Sequence, residues 1–378
     1  MWGRFESRRR LAAWRTYRDL RESKVSDVKE SSRTDVTVSV LIATYNGARF
    51  IEQQLESIRQ QTRPANEVLI WDDGSTDTTV AIVQTYIQRH RLTHWSIKIN
   101  TVNLGSAMNI LAHISEPVGE FVYFADQDDI WHPEKVRVMT QHLVDKPDVV
   151  MVVSRTDNVD EFGHASLERS VARRVNSGSR IHRRSLRQTE YLTLDDFIGY
   201  TSVPLHAMCV RSNFLQEVAS AGEYPSLNNS LGPDWYIGLL STVMGRCLLI
   251  ADRLVHRRVH GANISLGGLR KETALSVNAE RRILMLTEAG HAHRAILANE
   301  QLAGHLEPNQ RLAINGMADF LDRRAIFTEK PSIKRALVLL SKYKCYLESA
   351  GTLRHSLRMW VTDIMYAYRI NWHLKARR

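Results

Sequence analysis

The chain has 378 residues, 43% hydrophobic and 24% charged, values that suit one large globular domain with appendages, or two domains, and exclude a disordered chain. Its net charge of +10 lies at the ends: residues 1–34 carry ten basic and five acidic side chains, residues 333–378 carry ten and two, and subtraction (10 − 5 − 8) leaves −3 between them. A nucleic-acid enzyme lines its central cleft with positive charge, so this distribution speaks against nucleic acid and for an anionic membrane surface met by basic flanks.

Cys209, Cys247 and Cys345 are far apart and form no metal-type pair, which points to a reducing compartment without a disulfide framework. The longest apolar runs, such as Val149 to Val153, fall short of the ~20 residues of a spanning helix. The Arg-rich start lacks the continuous apolar core of a secretory signal. The expected location is cytoplasmic, peripheral at the inner face of the cell membrane.

Met1 to Thr34 mixes Arg with Trp2, Phe5, Leu11, Trp14, Tyr17 and Leu20 at helix-compatible spacing, consistent with an interfacial helix or with a partner-bound arm. A regular alternation begins at Val36. Val36 to Ala43 is rich in β-formers, Thr44-Tyr45-Asn46-Gly47 makes a turn, and a helix follows with Ile51, Leu55 and Ile58 on one face until Pro64 breaks it. Glu67 to Trp71 is a second strand ending in Asp72-Asp73-Gly74-Ser75, and its helix carries Ile82, Val83, Tyr86 and Ile87 inward. Trp95 to Asn100 is a third strand, followed by Asn103-Leu104-Gly105 and a helix through Ile110, Leu111 and Ile114. Phe121 to Asp126 is the fourth, a helix through Val136 and Leu143 comes next, and Val149 to Val153 is the fifth. Strands separated by amphipathic segments of helix length predict βαβ units and a mainly parallel sheet, an α/β, Rossmann-like architecture.

The fourth strand runs into FVYFADQDDIWHP, where Asp126, Asp128 and Asp129 are interrupted only by Gln127. Carboxylates this crowded repel one another unless a cation lies between them, and Mg2+ or Mn2+ takes hard oxygen ligands. If the first strand lies between the second and the fourth, Asp72-Asp73 and the Asp126–Asp129 cluster rim one crevice at the carboxyl ends of the strands. The chain contains no G-x-G-x-x-G and no G-x-x-x-x-G-K-[ST], so carboxylates and a metal must handle any diphosphate.

SVLIATYNG, EVLIWDDGSTD, NLG and FADQDDIW, in that order and spacing, resemble the inverting family 2 glycosyltransferases with the glycosyltransferase A fold. The DQDDIW form is similar to the bacterial rhamnosyltransferase-like branch that builds surface polysaccharides. The resemblance covers Val36 to about Asn263, and it implies roles at matching positions. Thr44 and Tyr45 would line the nucleotide pocket, and Asp73, with Asp72 beside it, would hydrogen-bond the base. Asp126 and Gln127 would lie by the ribose and sugar, and Asp128 would bind the metal of the diphosphate. The donor would be a dTDP- or UDP-sugar and the acceptor a glycan or a polyprenyl-linked sugar.

In the second half, Asp157 to Gly163 reads as a hairpin turn. Glu168 to Arg187 is crowded with Arg and Ser and reads as a loop, either solvated or in contact with acceptor or donor phosphates. Leu194 to Ile198 and Phe214 to Ala219 read as short helices, then Gly232-Pro233-Asp234-Trp235 opens a helix through Ile237, Leu240 and Val243. The resembled branch usually reads His-Asp-Trp here, with the Asp as catalytic base; Pro233 replaces the His. The resemblance implies Asp234 as general base and Trp235 at the acceptor, while a helix-start acid favoured by the helix dipole is the other reading of Asp234. Arg246 to Ala251 and Leu254 to Val259 read as two strands, and His260-Gly261-Ala262-Asn263 matches the family's R-x-H-G-x-N ending, which implies His260 as a metal or diphosphate ligand.

After Gly268 the pattern is helical, with Leu353, Leu357, Val361, Ile364 and Tyr368 on one face, for core packing, a partner or the membrane interface. The expected divisions are a basic extension to residue 35, a catalytic domain over 36–268 and a helical basic region over 269–378. The competing expectation is a sugar-nucleotide or polysaccharide-binding protein that has lost its base, with Pro233 as the symptom.

Overall fold

The computed structural model describes residues 35–164, 188–198, 203–220, 232–260, 275–342, 345 and 353–368. The expected N-terminal arm, the Glu168–Arg187 loop and Gly261 to Asn263 lie outside the described residues.

The strands follow the apolar runs closely. Val38–Thr44 (β1), Glu67–Asp72 (β2), Trp95–Ile99 (β3) and Phe121–Asp126 (β4) form a parallel group in the order β3-β2-β1-β4. β1 is buried on both faces, as a strand must be when helices cover the sheet on each side. Val38, Val40 and Ile42 point to one layer with Ile51, Leu55, Ile58 and Tyr86, while Leu41 points to the other with Val122, Phe124, Ile110 and Leu111. The register sets Thr44 beside Asp72 and Ala43 beside Asp126, so both acidic strand ends flank the end of β1. The crevice expected from the strand order is therefore formed.

Beyond β4 the sheet changes character. Ile130–Trp131 (β5), Val149–Val159 (β6), Glu190–Leu192 (β7), Met208–Arg211 (β8) and Arg246–Arg258 (β9) continue it as β4-β8-β6-β9-β5, with β7 also on β9. β8 runs antiparallel to both β4 and β6, and β5 and β7 run antiparallel to β9. Two expectations change here. The fifth strand does not stop for a hairpin at Asp157 but runs to Val159, because its whole length is paired with β9. The two strands expected over 246–259 are one 13-residue strand, whose polar middle is carried by the same long pairing with register shifts. The turn comes at Asp160 to His164, where the Asp160 carboxylate accepts from the backbone of Phe162 and His164 and Gly163 takes a φ of +88°.

The described residues after 274 form helices and the turns between them, as expected. The Leu275–Ala298 and Pro308–Glu329 helices pack together, with the Leu353–Ala367 helix on both. Arg282 and Arg324 meet on the fully buried carboxylate of Asp363, which pins the last helix to the other two. One core runs without a break from Phe124 through Trp235 and Leu240 to Leu286 and Phe320, so the helical layer is packed directly against the sheet.

Candidate active site

Three βα connections converge at the crevice. In the first, Asn46 adopts a left-handed conformation (φ 48°) and its side-chain carbonyl accepts from the Thr76 N–H at 2.9 Å, tying the β1 turn to the β2 turn. Gly47 follows because a Cβ there would fall 2.1 Å from Gln127 Oε1. Gln127 in turn brackets Tyr45: its Oε1 accepts from the Tyr45 N–H at 2.9 Å and its Nε2 donates to the Tyr45 carbonyl at 3.0 Å. The amide thus joins the acidic motif to the first turn and leaves the half-exposed Tyr45 ring at the rim.

Asp72 and Asp73 face inward. Asp72 is fully buried and accepts from Thr44 Oγ1 at 2.8 Å, Ser75 Oγ at 2.6 Å and the Ser75 N–H at 2.7 Å. Asp73 accepts from the N–H groups of Leu104 and Gly105, both at 2.8 Å, and from Asn100 Nδ2 at 2.8 Å. The two carboxylates expected at the base are thus engaged in fixing the Asn103-Leu104-Gly105 loop and the β2 turn.

The acidic motif is held from three sides. Asp126 is half exposed, whereas Asp129 is buried. His206, delivered by a one-turn 3-10 helix (Leu205–Ala207), places Nδ1 2.8 Å from Asp126 Oδ2 and 3.1 Å from Asp129 Oδ2. Burial opposes charge on that imidazole, but Asp129 and Asp126 outweigh it and raise its pKa. Burial, with the charges of Asp128 and Asp126, pushes Asp129 up to about 7. Beneath them Lys135 is fully buried; its Nζ lies 3.7 Å from the Trp131 ring centroid and donates to the His206 carbonyl at 2.5 Å. Burial pushes Lys135 down to about 7. From β9, the Arg258 guanidinium donates to the carbonyls of Asp128 and Glu161 and to Gln53 Oε1, and its N–H donates to Asp129 Oδ1. His260 Nε2 lies 2.7 Å from Asp128 Oδ2, so the pair expected from the sequence is brought together.

Two donor sets thus stand side by side. One atom each from Asp126, Asp129 and His206 fall within 4.8 Å of one another, and Asp128 meets His260. Asp129 Oδ2 is buried and, apart from the His206 imidazole 3.1 Å away, has no hydrogen-bond partner, a polar demand that a divalent cation with oxygen and imidazole ligands fits.

Asp234 opens the Pro233–Met244 helix, with Gly232 as the residue before it; a Cβ on Gly232 would come within 2.0 Å of Asp234 Oδ1, so the glycine leaves room for that carboxylate. Trp235 is not where an acceptor could meet it. It is 1% exposed, its indole N–H donates to the Phe197 carbonyl at 2.9 Å, and its ring lies 5.5 Å from that of His293. The next helical position is turned into the core, which is why the apolar ring points there and the carboxylate does not.

Sequence reading assigned no role to His206, Lys135 or Arg258. Arg258 had a signal, as the Arg of R-x-H-G-x-N. Lys135 reads as an ordinary helix lysine after Pro133, and His206 stands alone, 80 positions from Asp126.

Residues 39–206 match the family model described as glycosyl transferase family 2. The uncharacterized glycosyltransferase alr2836 of Nostoc sp. (strain PCC 7120) is 25% identical over 227 residues, which cover 60% of this chain and 66% of that protein. The poly(ribitol-phosphate) beta-N-acetylglucosaminyltransferase TarS of Staphylococcus aureus (strain Mu50) is 35% identical over 101 residues, 26% of this chain and 17% of that protein. The chain therefore spans less than two thirds of the length of these curated relatives. Among solved structures, S. aureus TarS 1–349 in complex with UDP-GlcNAc is similar with a TM-score of 0.53 at 18% identity, covering 88% of this chain and 89% of that one. The mannosyltransferase PcManGT from Pyrobaculum calidifontis, in complex with GDP-Man and Mn2+, gives a TM-score of 0.50 at 17% identity, covering 96% and 95%. The fold is accordingly glycosyltransferase A-like, a mixed α/β sheet with helical extensions.

Proposed function

We propose that this chain is a metal-dependent inverting glycosyltransferase, a hexosyltransferase of the rhamnosyltransferase-like branch, acting in surface polysaccharide synthesis. The donor is a dTDP- or UDP-sugar, the acceptor a glycan or polyprenyl-linked sugar, and the protein works at the cytoplasmic face of an anionic membrane met by its basic ends. The observation that carries this reading is the clasped acidic motif at the switch point between β1 and β4, where Asp128 meets His260 and Asp126 and Asp129 share His206.

Asp128 and His260 would hold Mg2+ or Mn2+, with Asp126, Asp129 and His206 as the adjoining donor set. A bound cation offsets the negative charge of a departing nucleoside diphosphate. Thr44 and Tyr45 line the nucleotide pocket, Asp73, with Asp72 beside it, hydrogen-bonds the base, and Asp126 and Gln127 contact the ribose and sugar. Asp234 accepts the proton of the acceptor hydroxyl as its oxygen bonds to the anomeric carbon. The bond from that carbon to the diphosphate oxygen breaks in the same step, its electron pair leaves with the nucleotide, and the configuration inverts. Buried Trp235 serves this step by fixing the helix that presents Asp234.

Thermal-shift screening of nucleotide sugars with and without Mn2+, followed by donor hydrolysis and transfer assays, tests the reading. Metal-dependent binding of one donor class with turnover is expected. Binding without any hydrolysis or transfer would instead establish the non-catalytic sugar-nucleotide binder.

A further inference from the structure

Among the described residues, the Ile333–Ser341 helix is seated on the protein by one flank. Leu339 enters the core, and Trp360 of the neighbouring helix donates its indole N–H to the Ala336 carbonyl at 3.2 Å. At 3.6 residues per turn, Ile333, Leu337 and Leu340 fall within an arc of about 60° on a second flank. That flank faces outward: the three side chains are 75%, 59% and 40% exposed. The same surroundings add Leu357 and Val361, one turn apart and also exposed, on the Leu353–Ala367 helix packed against it.

The polar positions around this stripe have one sign. Between Lys330 and Lys342 the sequence carries Lys330, Lys334, Arg335 and Lys342 and no acidic residue. A soluble surface helix ordinarily shows polar side chains where this one shows Ile and Leu. Large aliphatic side chains among cations suit a layer whose outside is anionic and whose inside is apolar. A second copy of the chain is the poorer occupant, because residues 333–378 carry a net +8 that two copies would bring together.

We propose that this helix is the membrane-docking element: Ile333, Leu337 and Leu340 insert at the headgroup boundary of an anionic bilayer while Lys334, on the adjoining flank, engages lipid phosphate. This rests on the membrane reading given above and deepens it, by naming the surface and by requiring an apolar contribution that charge attraction alone does not give. Attraction of basic flanks is screened by salt, whereas an inserted stripe is not.

The test is co-sedimentation of the full chain with vesicles of phosphatidylcholine alone and with about 30% phosphatidylglycerol, at low salt and at about 0.5 M salt. The parent protein binds the anionic vesicles, and part of that binding survives high salt. Joint replacement Ile333→Ser, Leu337→Ser and Leu340→Ser lowers the partition coefficient by about tenfold or more and removes the salt-resistant part. Melting temperature and donor hydrolysis stay as in the parent, since these side chains lie outside both the core and the crevice. Lys334→Ser weakens binding at low salt only. Parent-like binding by the triple variant overturns the assignment of this helix while leaving the membrane reading standing. A parent protein that binds neither vesicle removes the membrane reading, and this inference with it. Lipid-free dimerisation abolished by the triple variant makes a second copy the occupant and overturns the proposal.

Discussion

Arg258 holds Asp128 by its main chain: the buried guanidinium donates through Nε to the Asp128 carbonyl at 2.9 Å. The same side chain reaches the Glu161 carbonyl and Gln53 Oε1, so one planar fork sets the last strand, the acidic motif and the first helix in one arrangement. Arg258→Lys keeps the charge but cannot span three acceptors in different directions. We expect it to cost on the order of 2–3 kcal/mol and to abolish transfer, because buried acceptors lose a charged donor. Urea unfolding and a transfer assay check both parts, and a variant with parental midpoint and turnover removes this role.

Asp128 itself is partly exposed and paired with His260, so its loss spares the fold. Asp128→Ala is expected to abolish transfer with an unchanged circular dichroism spectrum, and EDTA to do the same to the parent protein. Full activity in saturating EDTA would falsify metal dependence.

How much of this was legible follows from where each signal resides. The βαβ alternation and the crevice carry period-2 and helical-period patterns within single segments, which is why Val38 to Asp126 reads almost residue for residue. The later sheet is held by pairing across distance. Asp157 and Asn158 read as a turn and Asp252 as a break, yet both are carried inside the long β6–β9 ladder, whose support no local pattern records. His206 is brought to Asp126 by a 3-10 turn 80 positions downstream, and Lys135 is buried because Trp131 and Tyr123 lie beneath its ammonium. The motif of Asp234 and Trp235 was legible, but it says nothing of which neighbour faces inward; packing against Phe197 and His293 decides that.

His256 gives the fold a pH dependence. Burial pushes its pKa down to about 4, helped by His132 and opposed by Asp157, and both ring nitrogens are buried without hydrogen-bond partners. Above pH 6.5 the ring is neutral whether folded or unfolded and contributes no pH dependence. As pH falls from about 6.5 to 4 the unfolded chain binds the proton and the folded chain does not, so stability is lost over that window, on the order of 3 kcal/mol in full. His132, whose pKa is also lowered by burial, acts in the same direction. Melting temperatures recorded from pH 7.5 to pH 4 should fall less steeply for His256→Gln than for the parent, and equal slopes would remove His256 as a source.

Asp234 is the last and most exacting prediction, since Pro233 stands before it where the resembled branch has His. Proline at the first helical position has no N–H to lose and fixes the backbone angle, so the substitution leaves a well-formed helix start. Gly232 leaves the carboxylate room, and buried Trp235 anchors the same turn to Phe197. A carboxylate presented in this way is suited to take a proton from an acceptor. Asp234→Asn keeps the shape and cannot accept that proton, so turnover should fall by about 10²–10⁴. Donor affinity, read by calorimetry with Mn2+, should stay near the parent's, because the lost interaction is made only as the acceptor reacts. The product of the parent enzyme, examined by NMR, should carry the anomeric configuration opposite to that of the donor. A retained configuration, or an Asn variant with normal turnover, would take Asp234 out of the mechanism and return it to helix capping.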